Sequence, residues 1–456
     1  MSIINNALTG ALAAQAALNT VSQNIANAQT DGYTRQGALL TAVAPASGLT
    51  NAGNGVQVTS LIRFSNDYQN QALWTSNSDL GAKTQTQPYF TQMEQVMGDD
   101  KAGLSAGVDG FFAALNASAG DATSSPLRQA VLTAADAMAQ HFNSIYDVTA
   151  NQVLSVNQQR SAALPQVNQL SGSIAALNQQ IASAGSSTNT SALQDQRNQQ
   201  IDQLASLVGV QVDTKSDGTT DVSLTNGQPL VVGNQSSTMA FDNSSGTQVL
   251  KLTFGPATFT VDDSSVGGQL GGLSNYLHNT LVPLQQSISQ FASQLASKVN
   301  AQFQAGTDAN GNPGQPLLQY SATNSNGLLQ LAPGLTSDQL AYSGNGTPGD
   351  TSNLQAVIGV ANQTITLGSV GNVTITDADT QLVGKLGIDS QQNQALLTTA
   401  TTIRNQAHDD WESTSGVNSD EEAVNLVAYQ NMYQANMKVI AVANTLFDAT
   451  LSMFGA

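Results

Sequence analysis

Three stretches of this chain hold residues that could do chemistry. His408-Asp409-Asp410 sets an imidazole beside two carboxylates, groups that bind a divalent metal or exchange protons. The only other histidines are His141 and His278, so no three-ligand set can be written, and the triplet reads as a solvated helix face. Asp308-Ala309-Asn310-Gly311-Asn312 begins like a calcium loop. With Asp308 in the first place, the sixth place needs glycine and holds Pro313, and the twelfth needs a bidentate glutamate and holds Gln319. It reads as a turn. Gly267-Gly268-Gln269-Leu270-Gly271-Gly272 is glycine-rich like a phosphate cradle, but it lacks the fingerprint spacing and a following lysine. Close packing where a loop leads into a helix is the better reading. No nucleophile motif is present. The absence of cysteine excludes disulfides, thiol catalysis and cysteine-based metal sites. No catalytic residue, cofactor or metal is therefore assigned, and the chain reads as a non-enzyme.

The elements that would have to position such residues are better marked than the residues themselves. At the N-terminus Ile4, Leu8, Ala11, Gln15, Leu18, Ser22 and Ile25 step by fours and threes. At the C-terminus Ala423, Leu426, Gln430, Tyr433, Met437, Ile440, Asn444, Phe447, Leu451 and Phe454 do the same. That spacing places each set on one seam of a heptad helix. Residues 1–30 carry no charged side chain. A helix of that kind is suited to packing against other helices, so Ile4, Leu8, Ala11, Leu18 and Ile25, with Leu426, Tyr433, Met437, Ile440, Phe447 and Leu451, are the candidate assembly residues.

Composition narrows the class. Only 10% of residues are charged, and the net charge is −18 from 31 acidic and 13 basic residues. Nucleic acid needs clustered lysine and arginine, and an anionic membrane surface needs the same, so neither is an expected partner. The first basic residue is Arg35, which predicts no Sec-type signal peptide, and no run of about 20 apolar residues marks a membrane span.

Along the chain the periodicity predicts helix over 3–29, short strands at 38–43 and 55–62, and helices near 64–97 and 104–117. A helix opened by Ser125-Pro126 runs to about 148. A long heptad segment from Val153 to Ala184 follows, with Pro165 expected to kink or split it. After the linker 185–190 a helix covers 192–208. The period then changes to two through Val222, Leu224, Leu250, Leu252, Phe259 and Val261. Helix returns at about 270–305, β runs at 354–377, and helix at 390–412 and from 420 on. The predicted fold is multidomain α+β, with paired terminal heptad helices, an elongated helical-bundle core and small inserted β domains distal to the termini. The expected division is 1–34 with 418–456 as a terminal coiled coil, 35–212 with 270–305 and 390–417 as the bundle, 213–269 as a β insertion, and 306–389 as an outer domain rich in β and loop, which can pack with 213–269.

Specific motifs flank the two seams. Ser22-Gln23-Asn24-Ile25-Ala26-Asn27-Ala28-Gln29-Thr30-Asp31-Gly32-Tyr33 resembles the N-terminal signature of the bacterial flagellar rod, hook and hook-associated proteins. Asn24, Ile25, Ala26, Asn27, Gly32 and Tyr33 carry it. The following Thr34-Arg35-Gln36, and Asn418-Ser419-Asp420-Glu421-Glu422 leading into Tyr433-Gln434-Ala435, are similar to the hook-associated members at the hook–filament junction. Arg128-Gln129-Ala130-Val131-Leu132 and Asp195-Gln196-Arg197 resemble that family's helical domain. The resemblance covers about 1–330 and 390–456. Asp31, where the family commonly has proline, and Pro165 depart from its pattern.

The resemblance implies a self-assembling structural part, exported unfolded by the flagellar type III apparatus without a cleaved signal, that forms a ring-like zone outside the cell. It implies as partners further copies of the chain, hook protein, a second hook–filament junction protein, and a cytoplasmic export chaperone at the C-terminal helix, with no membrane insertion. The rival readings are a rod or hook component, against which the long helical middle argues, and a secreted adhesin-like surface protein.

Overall fold

The computed structural model describes residues 2–44, 53–184, 188–244, 248–323 and 327–455, so residues 185–187 of the expected linker and the side chain of Phe454 lie outside the description. The uncharged stripe forms helix α1 (Ser2–Ala26). The helix ends as the Asn27 and Ala28 amides bond back to Gln23, Asn24 and Ile25 carbonyls, and Gly32 at φ +74° supplies the left-handed turn. Strands β1 (Gln36–Ala42) and β2 (Val56–Arg63) pair as an antiparallel hairpin with a bulge at Leu39/Leu40. Helices α2 (Asp67–Met97) and α3 (Leu104–Ala119) follow as expected.

Helix α4 is a single element of 60 residues, Ser125–Ala184. The sequence predicts two segments here, the second kinked or split by Pro165, yet the helix passes through both places. A mid-helix proline costs about 3 kcal/mol. Its neighbours Val156, Ala163, Leu164 and Val167 are all buried, and each large side chain contributes about 1.5–3 kcal/mol, which outweighs that cost.

Helix α5 (Ser191–Leu207) leads into two antiparallel sheets. The first is β3 (Val210–Thr214), β4 (Thr220–Leu224), β5 (Pro229–Val232) and β6 (Gln235–Ser236), in that order. The second is β7 (Thr238–Asp242), β8 (Val249–Phe254) and β9 (Ala257–Val261). Helix α6 (Gly268–Tyr276) continues through a π turn, Leu277–Leu281, into α7 (Val282–Gln304). The wider turn accommodates Pro283, whose missing N–H falls in the first turn of α7.

The glycine-rich stretch is where backbones touch. Gly267 and Gly268 have φ of +67° and +57°, and a Cβ on Gly268 would lie 2.4 Å from Leu207 C and Val208 N. The Asp308 stretch forms the expected turn: its Oδ1 accepts the Asn310 and Asn312 amides at 2.8 Å each, with Gly311 at φ +82°.

Beyond it, β10 (Leu318–Tyr320) pairs with β11 (Leu329–Leu331). Strand was expected from 354. That segment instead begins as helix α8 (Ser352–Gly359), because Leu354, Val357 and Val360 recur every third residue and are all fully buried. A hairpin of β12 (Thr364–Leu367) and β13 (Gly371–Thr374) follows. Helix α9 (Ala378–Ser415) starts well before the expected 390, with Leu382 and Leu386 buried four residues apart. Helix α10 (Ser419–Phe454) completes the chain, capped by Asn418 Oδ1, which accepts the Asp420 and Glu421 amides. The protein is a multidomain α+β chain of long helices and small antiparallel sheets.

Contacts divide it into two units. One comprises residues 1–80, 164–268 and 400–456. It holds α1, α10, the β1–β2 hairpin and the sheets of β3–β9. The other comprises 81–163 and 269–399. Its core gathers Phe111, Phe142, Phe291 and Leu295, with the Phe142 and Phe291 rings edge to face at 4.9 Å. In this unit Arg128 lies 4.2 Å over the Tyr342 ring and donates to the Ala122 and Leu340 carbonyls. Asp379, borrowed from α9, accepts the Ser105 amide at 2.8 Å and so caps α3, whose own Gly103 has no side chain to do so.

Candidate functional site: the paired terminal helices

Helices α1 and α10 pack antiparallel. Asn24 meets Glu422 near one end of the pair, and Asn436 lies over Gly10 so closely that a Cβ there would be 2.6 Å from its Oδ1. The side of α1 buried in this contact is Ala7, Gly10, Ala14, Ala17, Val21 and Asn24, stepping by threes and fours. Facing it on α10 are Glu422, Asn425, Tyr429, Tyr433, Asn436, Ile440 and Ala443, none of them exposed. Glycine and alanine let the two backbones approach, so the partners on α10 fill the seam. The intrachain seam is therefore one residue out of step with the aliphatic stripe read from the sequence.

The predicted assembly residues fall largely outside that seam. On α1, Ala11 is buried, Ile4 and Leu18 are half-buried, and Leu8 and Ile25 are exposed. On α10, Tyr433 and Ile440 are half-buried on the α1 side, while Leu426, Met437, Phe447 and Leu451 are exposed. Two further features were missed. Leu12 is exposed beside Leu8. A second stripe on α10 runs through Val424, Ala428, Ala435, Val439, Val442, Leu446 and Met453, all exposed. Its steps of three, four and seven overlap the stripe first chosen, and that overlap is the signal that could have revealed it. Near the end of the pair, Ile3, Ile4, Val439, Val442, Leu446 and Phe447 line an open groove of about 830 Å³. Apolar surface of this extent is unusual on a chain that remains single.

The signature residues build a polar knot at the other end of the pair. Asn24 is fully buried. Its Nδ2 donates to Gln36 O at 2.8 Å and to Glu422 Oε2 at 3.1 Å, while its Oδ1 accepts the Tyr33 hydroxyl at 2.8 Å and the Gln36 amide at 3.1 Å. Burial, with the charges of Asp195 and Glu422, pushes the Tyr33 hydroxyl up to about 12, so it stays a donor at every physiological pH. Thr34 is also fully buried; its amide donates to Asp195 Oδ2 and its hydroxyl accepts Arg63 Nη2. Arg63 in turn pairs with Asp195 at 2.7 Å. Arg35 stacks 4.4 Å over Phe64 and reaches Glu421 at 2.9 Å, and its amide donates to Ser415 O. Asn27 and Gly32 only shape the turn, Asn27 through the Thr30 hydroxyl. Ile25 and Ala26 are exposed. Motifs from the two ends of the sequence thus share one site. Asp195 and Arg63 were not foreseen, being far from either motif in sequence.

The Arg63–Asp195 pair is nearly enclosed, with side-chain exposures of 12% and 11%. Removing one member of such a pair leaves a buried charge without its partner and costs about 3–5 kcal/mol. Asp195→Ala is expected to lower the stability of its unit by about 3 kcal/mol in urea unfolding, whereas Asp195→Ala with Arg63→Met recovers most of the loss. Equal stability of the single and double variants would contradict this.

His408, Asp409 and Glu412 are the one group of metal-type ligands among the described residues, with ligand atoms within 4.8 Å of one another. They lie on a single face of α9, Asp409 and Glu412 exposed, and His408 Nδ1 is 3.8 Å from Glu412 Oε2 one turn on. Among the described residues no helix is long and apolar enough to cross a membrane.

Comparison with known proteins agrees at both termini and between them. Residues 90–318 match the helical domain of the flagellar hook-associated protein FlgK, which is half of this chain. Residues 4–34 match the flagella basal body rod protein family, and 412–453 the C-terminal family of the flagellar basal body rod FlgEFG proteins. Flagellar hook-associated protein 1 of Salmonella typhimurium is 27% identical over 556 residues, which cover 99% of this chain and 100% of that protein. The Bacillus subtilis protein of the same name is 25% identical over 491 residues, 97% of this chain and 96% of that one. Among solved structures, the flagellar hook junction protein FlgK of Burkholderia pseudomallei matches with a TM-score of 0.51 at 32% identity, over 56% of this chain and 47% of that chain. The helical middle and both sequence ends therefore lead to one conclusion: the chain belongs to the flagellar hook-associated protein FlgK family.

Proposed function

We propose that the protein is a structural subunit of the flagellar axis that joins hook to filament, and that its terminal helix pair is the surface through which copies assemble. The observation that carries this reading is the uncovered apolar surface on that pair, with Leu8 and Leu12 on α1 and Val442, Leu446 and Phe447 on α10 each exposed by 46% or more. Neighbouring subunits would cover it, and burying each such side chain yields about 1.5–3 kcal/mol. Hook protein on one side and a second junction protein on the other are the axial partners in this reading. Before export, a chaperone would shield the exposed stripes of α10 in the cytoplasm. The route is type III export without a cleaved signal, and the mature place is outside the cell. Catalysis has no part in it, in keeping with relatives named as flagellar hook-associated proteins.

A strain lacking the protein tests the reading. Hooks are expected to form normally, with filament subunits shed into the medium. Absence of hooks would assign the protein to the rod or hook and overturn it.

A further inference from the structure

A small cavity where the start of α2 meets α5 and the turn between β3 and β4 brings two guanidinium groups together. It has a volume of about 170 Å³, and Arg63 and Arg197 line it with Ser65, Asn70 and Thr214. The two arginines are held differently. Arg63 is engaged by the Asp195 carboxylate, with Nε at 2.8 Å and Nη2 at 2.7 Å. Arg197 is only 3% exposed, yet none of its bonds is to a carboxylate. Its Nη1 donates to Gly218 O at 2.5 Å, and its Nε and Nη2 to Asn198 Oδ1 at 3.4 and 3.2 Å. Three of the five N–H groups of the guanidinium are used in this way, which leaves two.

An arginine so deeply buried is seldom found without an acid beside it, because neutral partners do not offset the loss of water around a charge. Burial, with the Arg63 charge close by, pulls the Arg197 guanidinium down to about 10, so it is charged at neutral pH. Asp67, exposed at the rim, acts on it only beyond ion-pair distance, and Asp195 is already engaged by Arg63. The rest of the lining suits a negative ligand. The Asn70 amide donates to Ser65 Oγ at 3.1 Å, which leaves the Ser65 hydroxyl proton free to donate. Helix α2 starts at the same rim and turns its positive end to it. The volume is well below the roughly 300 Å³ at which pockets for drug-sized ligands begin, so the space suits an ion and a few waters.

We propose that this cavity is an anion site: it takes one small oxyanion, of phosphate or carboxylate type, as the counter-charge for Arg197. The planar fork of a guanidinium matches a pair of such oxygens. The site lies within one unit of a single chain, so it stands or falls independently of the assembly proposed above.

Equilibrium dialysis of the full-length protein against radiolabelled inorganic phosphate tests the site at neutral pH, with sodium chloride holding the ionic strength constant. Saturable binding of one phosphate per chain is expected, half-complete on the order of 1 mM. Sulfate and acetate are expected to displace it, whereas chloride at the same ionic strength is not. Arg197→Met is expected to weaken binding at least about 30-fold, the share of charge-assisted hydrogen bonds. Thr214→Glu, at an exposed position of the rim, brings a tethered carboxylate to the same arginine and is expected to abolish phosphate binding in a fully folded chain. Urea unfolding separates a ligand-binding arginine from a merely structural one. The wild-type midpoint is expected to rise with phosphate concentration, and the Arg197→Met midpoint to stay where it is. The site is overturned by the absence of saturable binding to wild type, by equal binding to Arg197→Met or Thr214→Glu, or by displacement with chloride.

Discussion

Leu446→Asp combined with Phe447→Asp is expected to abolish incorporation into the flagellum while leaving the monomer as stable as wild type. The two side chains are 62% and 60% exposed, so carboxylates there meet water and the isolated chain loses little. Exposed substitutions of this sort usually change stability by no more than about 0.5 kcal/mol. In an assembly the same positions are covered. Each substitution then forfeits about 1.5–3 kcal/mol of apolar burial and leaves an unpaired carboxylate to be desolvated, for several kcal/mol more. The sum is at least about 6 kcal/mol per subunit contact, a loss of roughly 10,000-fold in association. Motility and attached filaments report the assembled state, and urea unfolding of the purified chain reports the monomer. Leu154→Asp, 60% exposed on α4 in the unit that does not hold the terminal pair, is the matched control and is expected to swim normally. Normal motility of the double variant would remove the terminal pair from the assembly surface.

That prediction depends on a distinction which periodicity alone does not make. The spacing of Ile4, Leu8, Ala11, Leu18 and Ile25 correctly marks a helix, because side chains three and four apart share a face whatever covers it. The larger aliphatics of that spacing are the candidate assembly residues, and most of them lie outside the seam that the chain makes with itself. Where two helices lie close, the residue at the contact is the one that lets the backbones approach. Gly10, Ala14 and Ala17 therefore go inside, and Leu8 and Leu12 are left out. On α10 two heptad stripes overlap, and no local rule says which one the chain itself uses. The start of α9 was hidden for another reason. Gly384 and Gly387 lower helix propensity there, and only the burial of Leu382 and Leu386 on unit-mates overrides it. In the knot, Asn24, Tyr33 and Glu422 all sat within recognisable motifs. Asp195 lies 161 residues from Thr34, and nothing near it in sequence points to that contact.

The spacing of the glycine-rich stretch predicts close packing, and there a single added methyl group is expected to cost much stability. Gly268→Ala would set Cβ 2.4 Å from Leu207 C and Val208 N and 2.6 Å from Leu207 O. All three are backbone atoms at the end of α5, so no rotamer change relieves the overlap. The Gly268 amide is fixed by Ser78 Oγ at 2.8 Å, and the Gly209 amide by Val266 O, which removes slack on either side. To this is added the left-handed backbone at φ +57°, about 1–2 kcal/mol for any residue with a Cβ. Gly227→Ala separates the two contributions. That glycine also has positive φ, +85°, but a Cβ on it would meet nothing within 4 Å. Gly227→Ala is therefore expected to cost only the backbone part, about 1 kcal/mol, and Gly268→Ala at least about 2 kcal/mol more, from overpacking that only a backbone shift can relieve. Urea unfolding of the two variants measures the difference. Similar losses would mean that the φ angle alone requires glycine at position 268, and that the approach of α5 to the start of α6 leaves room for a methyl group.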